Sequence, residues 1–139
     1  MNPSIFVNNA FLDQLLERAR KNPRLREAYD LRTTLDDQSQ RMLNAMLPGT
    51  EVPIHRHETT SEMVAILYGR LTEVYYDENG QVTEKITLDA NGECRAMSIP
   101  QGQWHTVEVT EPCVIIEAKD GPYKPRTAGE VMTDGQVKN

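Results

Sequence analysis

Turn signals recur along this chain at short intervals. Pro48-Gly49, Gly69, Asn79-Gly80, Asn91-Gly92, Pro100-Gln101-Gly102, Glu111-Pro112 and Gly121-Pro122 divide everything after residue 47 into brief segments. Glycine and proline in such pairs stop regular structure, so no long helix fits there. The segments between them, Glu62 to Tyr68, Leu71 to Tyr76, Val82 to Leu88, Cys94 to Ile99, Trp104 to Val109 and Cys113 to Ala118, have strand length. Asp77-Glu78-Asn79-Gly80 joins two of them as a hairpin, with Asn-Gly expected to supply positive φ angles. Arg41 to Leu47 fits helix or strand by periodicity, and the strand context after it favours a strand. The pattern predicts an all-β barrel or sandwich.

The first forty residues read differently. Phe11, Leu12, Leu15, Leu16 and Ala19 form one apolar stripe at helical spacing. Asn8 or Asn9 can cap this helix, and Pro23 ends it. A second helical piece is expected over Arg24 to Tyr29. The chain is thereby divided into a helical extension (residues 1–39), a β-barrel domain (40–123) and a polar, loosely held tail (124–139).

Acidic residues outnumber basic ones by 21 to 15, a net charge of −6 with neutral histidine. With no basic run to meet a phosphate backbone, nucleic acid is excluded as a partner. The N-terminus lacks a positive stretch followed by an apolar run, and no segment is long and apolar enough to span a bilayer. No membrane partner and a cytoplasmic location are expected. Cys94 and Cys113 are read as reduced thiols without zinc-finger spacing, and so not as ligands.

Function concentrates in His55-Arg56-His57. Alternate residues of an extended segment project to one side, so both imidazoles reach the same space. Glu62 follows, and His105, the third and last histidine of the chain, enters another strand after Pro100-Gln101-Gly102. Three imidazoles and a carboxylate suit iron, zinc, manganese, nickel or cobalt, and do not make the all-oxygen cage that calcium requires. Arg41 and Asn44 are polar positions in an apolar run, with Arg41 facing either solvent or a pocket. Arg41 and Lys119 are candidates for holding an anionic group. Tyr75, Tyr76 and Tyr123 are candidates for proton handling.

Written as Gly49-x5-His55-x-His57-x4-Glu62-x6-Gly69, the spacing matches the first cupin motif, and Pro100-x-Gly102-x2-His105 resembles the second. The glycine usual before that proline is displaced to Gly92, and Val109 stands where asparagine is common; neither is a ligand position. The resemblance covers about residues 40–120. It implies a jelly-roll barrel with one divalent transition metal held by His55, His57, Glu62 and His105. Gln40-Arg41-Met42-Leu43-Asn44-Ala45 before Pro48-Gly49, and the ending Gly121-Pro122-Tyr123, are similar to the WbuC-type cupins, which are associated with bacterial surface-polysaccharide gene clusters.

Three classes of function fit. A metal-dependent enzyme could move a proton on a sugar or nucleotide-sugar intermediate, as an isomerase or epimerase does. An iron-dependent dioxygenase could use two open positions for substrate and dioxygen. A binding module could capture a small molecule, such as a carbohydrate, without turnover. A homodimer is expected from the strand Met63 to Tyr68, apolar on both faces.

Overall fold

The computed structural model describes residues 3–133. One helix, α1 (Asn9–Lys21), precedes eight strands: β1 (Arg26–Asp30), β2 (Ser39–Met46), β3 (Glu62–Tyr68), β4 (Arg70–Tyr76), β5 (Val82–Asp89), β6 (Ala96–Ile99), β7 (Trp104–Glu108) and β8 (Cys113–Asp120). A single 3-10 turn, Ala128–Glu130, follows. The strands form two antiparallel sheets, one ordered β1-β2-β8-β3-β6 and the other β5-β4-β7. This is the all-β jelly-roll barrel with a short N-terminal helix that the motifs imply.

Helix α1 forms for local reasons and stays for packing. The Asn8 side chain accepts the Phe11 N–H at 3.0 Å, closing the first turn. Leu12, Leu15, Leu16 and Ala19 are buried against Leu43, Ala45, Leu47 and Val114 on the outer face of the larger sheet. Each leucine so covered contributes about 1.5–3 kcal/mol. The helix therefore seals one side of the sheet and leaves the barrel interior to other residues.

Two expectations fail around this helix and hairpin. Arg24 to Tyr29 is not helical: Leu25 takes φ 56° and redirects the chain into β1, which pairs with β2 from Arg26↔Met46 to Asp30↔Met42. Backbone pairing along a sheet edge outweighs the modest helix propensity of Leu25, Glu27 and Ala28. In the β4–β5 hairpin only Gly80 has positive φ, at 77°. Asp77 N–H bonds to the Gln81 carbonyl and Gly80 N–H to the Asp77 carbonyl, which closes the loop where the sequence places it but leaves Asn79 outside the left-handed region.

Register decides which side chains enter the barrel. Opposed residues share a face, so the pairs Glu62↔Lys119, Val64↔Glu117 and Ile66↔Ile115 all point inward. On the smaller sheet Tyr75↔His105 and Glu73↔Val107 do the same. One end of the interior is apolar, built from Met46, Val64, Ile66, Leu71, Leu88, Ile99, Cys113 and Ile115. At the other end the inward residues are polar: Glu62, Glu73, His105, Glu117 and Lys119. Gly69 separates β3 from β4 at φ 73°, packed so tightly that a Cβ would run into the Pro112 carbonyl.

Candidate metal centre

His55 and His57 lie on an irregular segment held extended from both sides. His55 and His105 exchange backbone hydrogen bonds, His55 N–H to His105 O at 2.9 Å and the reverse at 2.8 Å. On the other side Arg56 N–H bonds to Glu130 O at 3.0 Å and Met132 N–H to Ile54 O at 2.9 Å. The tail expected to be loose is thus engaged at residues 128–132, and Met132 is buried; residues 134–139 lie outside the described residues. Between the histidines, Arg56 turns away, its guanidinium 4.4 Å above the Trp104 ring and ion-paired to Glu58 at 3.1 Å.

The four expected residues meet. One ligand atom from each of His55, His57, Glu62 and His105 lies within 4.8 Å of all the others. His55, Glu62 and His105 are buried, and His57 keeps a little exposure. The ring orientations are fixed from behind: His55 Nδ1 lies 2.9 Å from the Pro53 carbonyl, and His105 Nδ1 lies 2.9 Å from the Gln103 carbonyl. A carbonyl only accepts, so both rings carry a proton on Nδ1, and in its neutral form each keeps the Nε2 lone pair for the cluster.

The fit to a metal can be tested on unsatisfied atoms. Glu62 Oε2 lies 2.7 Å from His57 Nε2 and 3.6 Å from His105 Nε2. Neither Glu62 Oε2 nor His57 Nε2 makes an aligned hydrogen bond, although both atoms are buried. Buried polar atoms without partners cost free energy unless something else satisfies them. A cation shared by these donors does that, so the cluster fits one metal ion. The charge states of His55 and Glu62 agree, while at His105 the lowering by burial is outweighed by the Glu62 carboxylate, which raises it. Burial, with the nearby His105 and Arg126 charges, lowers His55 to about 3 and keeps it neutral. Burial alone would raise Glu62, but His105, His57 and Lys119 outweigh it and hold the carboxyl well below its usual range.

The remaining candidates separate by location. Lys119 projects into the barrel opposite Glu62, its Nζ 4.0 Å from Glu117. Tyr75 faces inward beside His105. Tyr123 is exposed on the rim of a cavity of about 760 Å³ that reaches His57 and Lys119. Arg41 has the opposite strand parity from Gln40, which lines that cavity, and pairs with Asp37 at 2.8 Å on the outer face. Tyr76 follows Tyr75 with its side chain on the other face of β4, opposite Trp104. Cys94 and Cys113 are free and stand outside the cluster, Cys113 in the apolar end of the barrel.

Two acids near the centre escaped the sequence reading. Glu73 on β4 is fully buried, its Oε2 without a partner, and burial raises its carboxyl to about 8. Glu117 on β8 accepts from Asn44 Nδ2 at 2.9 Å, and burial with the neighbouring Glu62 raises it to about 7. The signal that could have found them is parity: Glu73 shares the strand face of Leu71 and Tyr75, and Glu117 that of Ile115.

The family model described as Domain of unknown function (DUF6016) matches residues 7–88. That is more than half of the chain, and the chain belongs to this family. No curated protein matches it. Among solved structures, CapF with the inhibitor 3-isopropenyl-tropolone aligns at TM-score 0.60 and 20% identity, over 70% of this chain and 28% of CapF. A cupin-2 domain protein from Shewanella frigidimarina aligns at 0.53 and 24%, over 68% of this chain and 79% of its own. Bacillus subtilis oxalate decarboxylase, with Mn(II) centres, aligns at 0.57 and 18%, over 72% of this chain and 26% of that one. The chain thus spans under a third of the CapF and oxalate decarboxylase chains, and the shared feature is the cupin fold. No helix among the described residues is long and apolar enough to cross a membrane.

Proposed function

We propose that this DUF6016 protein, built on a cupin barrel, is a metal-dependent enzyme that moves a proton on a small, oxygen-rich substrate of the sugar or nucleotide-sugar kind. His55, His57, Glu62 and His105 hold one divalent transition metal, and the metal supplies a Lewis acid for substrate oxygens. The observation that carries this reading is a buried four-donor cluster opening through His57 into a cavity of about 760 Å³. That volume lies within the usual range for small-molecule sites, roughly 300–1,000 Å³. A closed structural site would have no such opening.

The chain's own residues supply the rest. Lys119 presents an ammonium at the cavity's inner wall, where it can neutralise charge developing on substrate oxygen. Tyr75 and the neutral carboxyl of Glu73 stand on the strand face of His105 and can hold or pass a proton. The fold relatives are compatible, since CapF takes a tropolone inhibitor and oxalate decarboxylase uses Mn(II). The similarity of Gln40 to Ala45 and Gly121 to Tyr123 with the WbuC-type cupins favours a role in surface-polysaccharide metabolism. Met63, Leu67 and Tyr68 stay exposed on β3 and favour a homodimer.

The deciding experiment is metal analysis of anaerobically purified protein, followed by incubation with sugar nucleotides in deuterium oxide. Stoichiometric metal and deuterium washing into a substrate carbon support the reading. Stoichiometric iron with oxygen consumption and no wash-in would replace it with the dioxygenase. Ligand-dependent thermal stabilisation without any product would replace it with the binding module.

A further inference from the structure

The segment after β8 crosses the cavity mouth as a strap fastened at both ends. At its start Gly121 N–H bonds to the Gln38 carbonyl at 2.8 Å, and Gln40 Nε2 bonds to the Pro122 carbonyl at 3.3 Å. At its end the Thr127–Glu130 capping box docks through Glu130, whose Oε2 accepts the Glu58 N–H at 2.9 Å. Between these anchors Lys124 and Arg126 line the cavity, with Lys119 on its inner wall. Lys124 and Arg126 are exposed and make no hydrogen bond or ion pair among the described residues.

The acids around the same cavity are largely spoken for. Glu58 pairs with Arg56 at 3.1 Å, and Glu130 accepts from two backbone N–H groups, those of Glu58 and Thr127. Asp120 is the remaining acid of the lining. The lining carries three cations, Lys119, Lys124 and Arg126, against those three acids, and Lys124 and Arg126 stand two residues apart on the strap with no ion pair among the described residues, a local positive field. Such a local field attracts and orients anions. Tethering at both ends fixes where the two cations stand, which lowers the ordering cost when a ligand arrives.

We propose that Lys124 and Arg126, with Lys119 behind them, form an oxyanion-binding subsite, so that the ligand carries a carboxylate or a phosphate held at the strap. This rests on the proposed small-molecule site but not on which reaction occurs there. It adds the ligand's charge and the residues that read it.

The test is NMR titration of the 15N-labelled, zinc-loaded protein with glucuronate, with inorganic phosphate, and with glucose as the neutral control. The same titrations are run on chelator-stripped protein and on the double variant Lys124→Gln/Arg126→Gln. Shifts at the amides of Lys119 and of residues 123–127 with an anion, absent with glucose, are expected. The double variant should weaken anion binding about tenfold, the effect of two partly exposed charge contacts. Preference for glucuronate assigns the carboxylate, and preference for phosphate assigns the phosphate. Equal binding of glucose and both anions, or unchanged anion affinity in the double variant, would overturn the subsite. Stripped protein separates the two readings: anions that still shift the strap when no metal can be loaded keep the subsite and reject the metal centre.

Discussion

His57 Nε2 and Glu62 Oε2 stand 2.7 Å apart in a buried pocket, yet they are not aligned as a hydrogen bond, and neither makes a hydrogen bond elsewhere. Two buried donors crowded together without pairing gain most from a cation placed between them. His57→Ala or His105→Ala should therefore take bound metal from about one ion per chain to near none, as a four-donor site requires. Circular dichroism should stay that of the folded barrel. Full metal content in either variant would remove these residues from the ligand set.

Two buried groups tilt the pH dependence of the metal-free protein in opposite senses. His55 is lowered from 6.5 to about 3, chiefly by burial, so the unfolded chain takes up a proton that the folded one refuses. Stability present above pH 6.5 from this group is lost as pH falls toward 3. Glu73 is raised from 4.5 to about 8 by burial, so the stability it allows below pH 4.5 is lost as pH rises through 8. Glu73→Gln stays neutral throughout and should remove a slope of up to about 1.4 kcal/mol per pH unit between pH 4.5 and 8. Urea melts in EDTA across that range check this; superimposable profiles for variant and wild type would refute it.

Gly69→Ala should unfold the protein at a markedly lower temperature. Its left-handed φ of 73° costs an alanine about 1–3 kcal/mol, and the new Cβ would press on the Pro112 carbonyl. Both are backbone constraints, so no side-chain rotation relieves them. A calorimetric Tm within a degree or so of wild type would show that the β3–β4 junction yields more than its packing suggests.

The outer face of β3 gives a prediction about assembly. Met63, at 47% exposure, and Leu67, at 38%, are apolar side chains on a sheet face that α1 leaves uncovered. Leu67→Glu should sediment as a monomer while the wild type sediments as a dimer. A wild-type monomer at micromolar concentration would reject the dimer outright.

The metal cluster was readable from sequence because its parts obey short-range rules. His55 and His57 share a side by alternation, and His105 follows a Pro-x-Gly turn that places it at the start of a strand. Strand positions from β2 to β8 were legible for the same reason. What was not legible depended on partners distant in the chain. Arg24 to Tyr29 contains good helix formers, and only pairing with β2 makes its latter part a strand. Glu73 and Glu117 resemble solvent-facing acids until register sets them opposite Val107 and Val64. The polar composition of the tail concealed Met132, whose N–H pairs with Ile54 and whose side chain is buried.

The backbone partners of the His-x-His segment have a consequence in time. His105 flanks it on one side and residues 130–132 on the other, and both are synthesised well after it. On a ribosome the chain emerges from its N-terminus, so His55 and His57 appear first without either neighbour to hold them extended. Ordered metal capture then waits on translation of the strap and its anchor, and nascent chains stalled before residue 128 should bind the ion loosely or not at all.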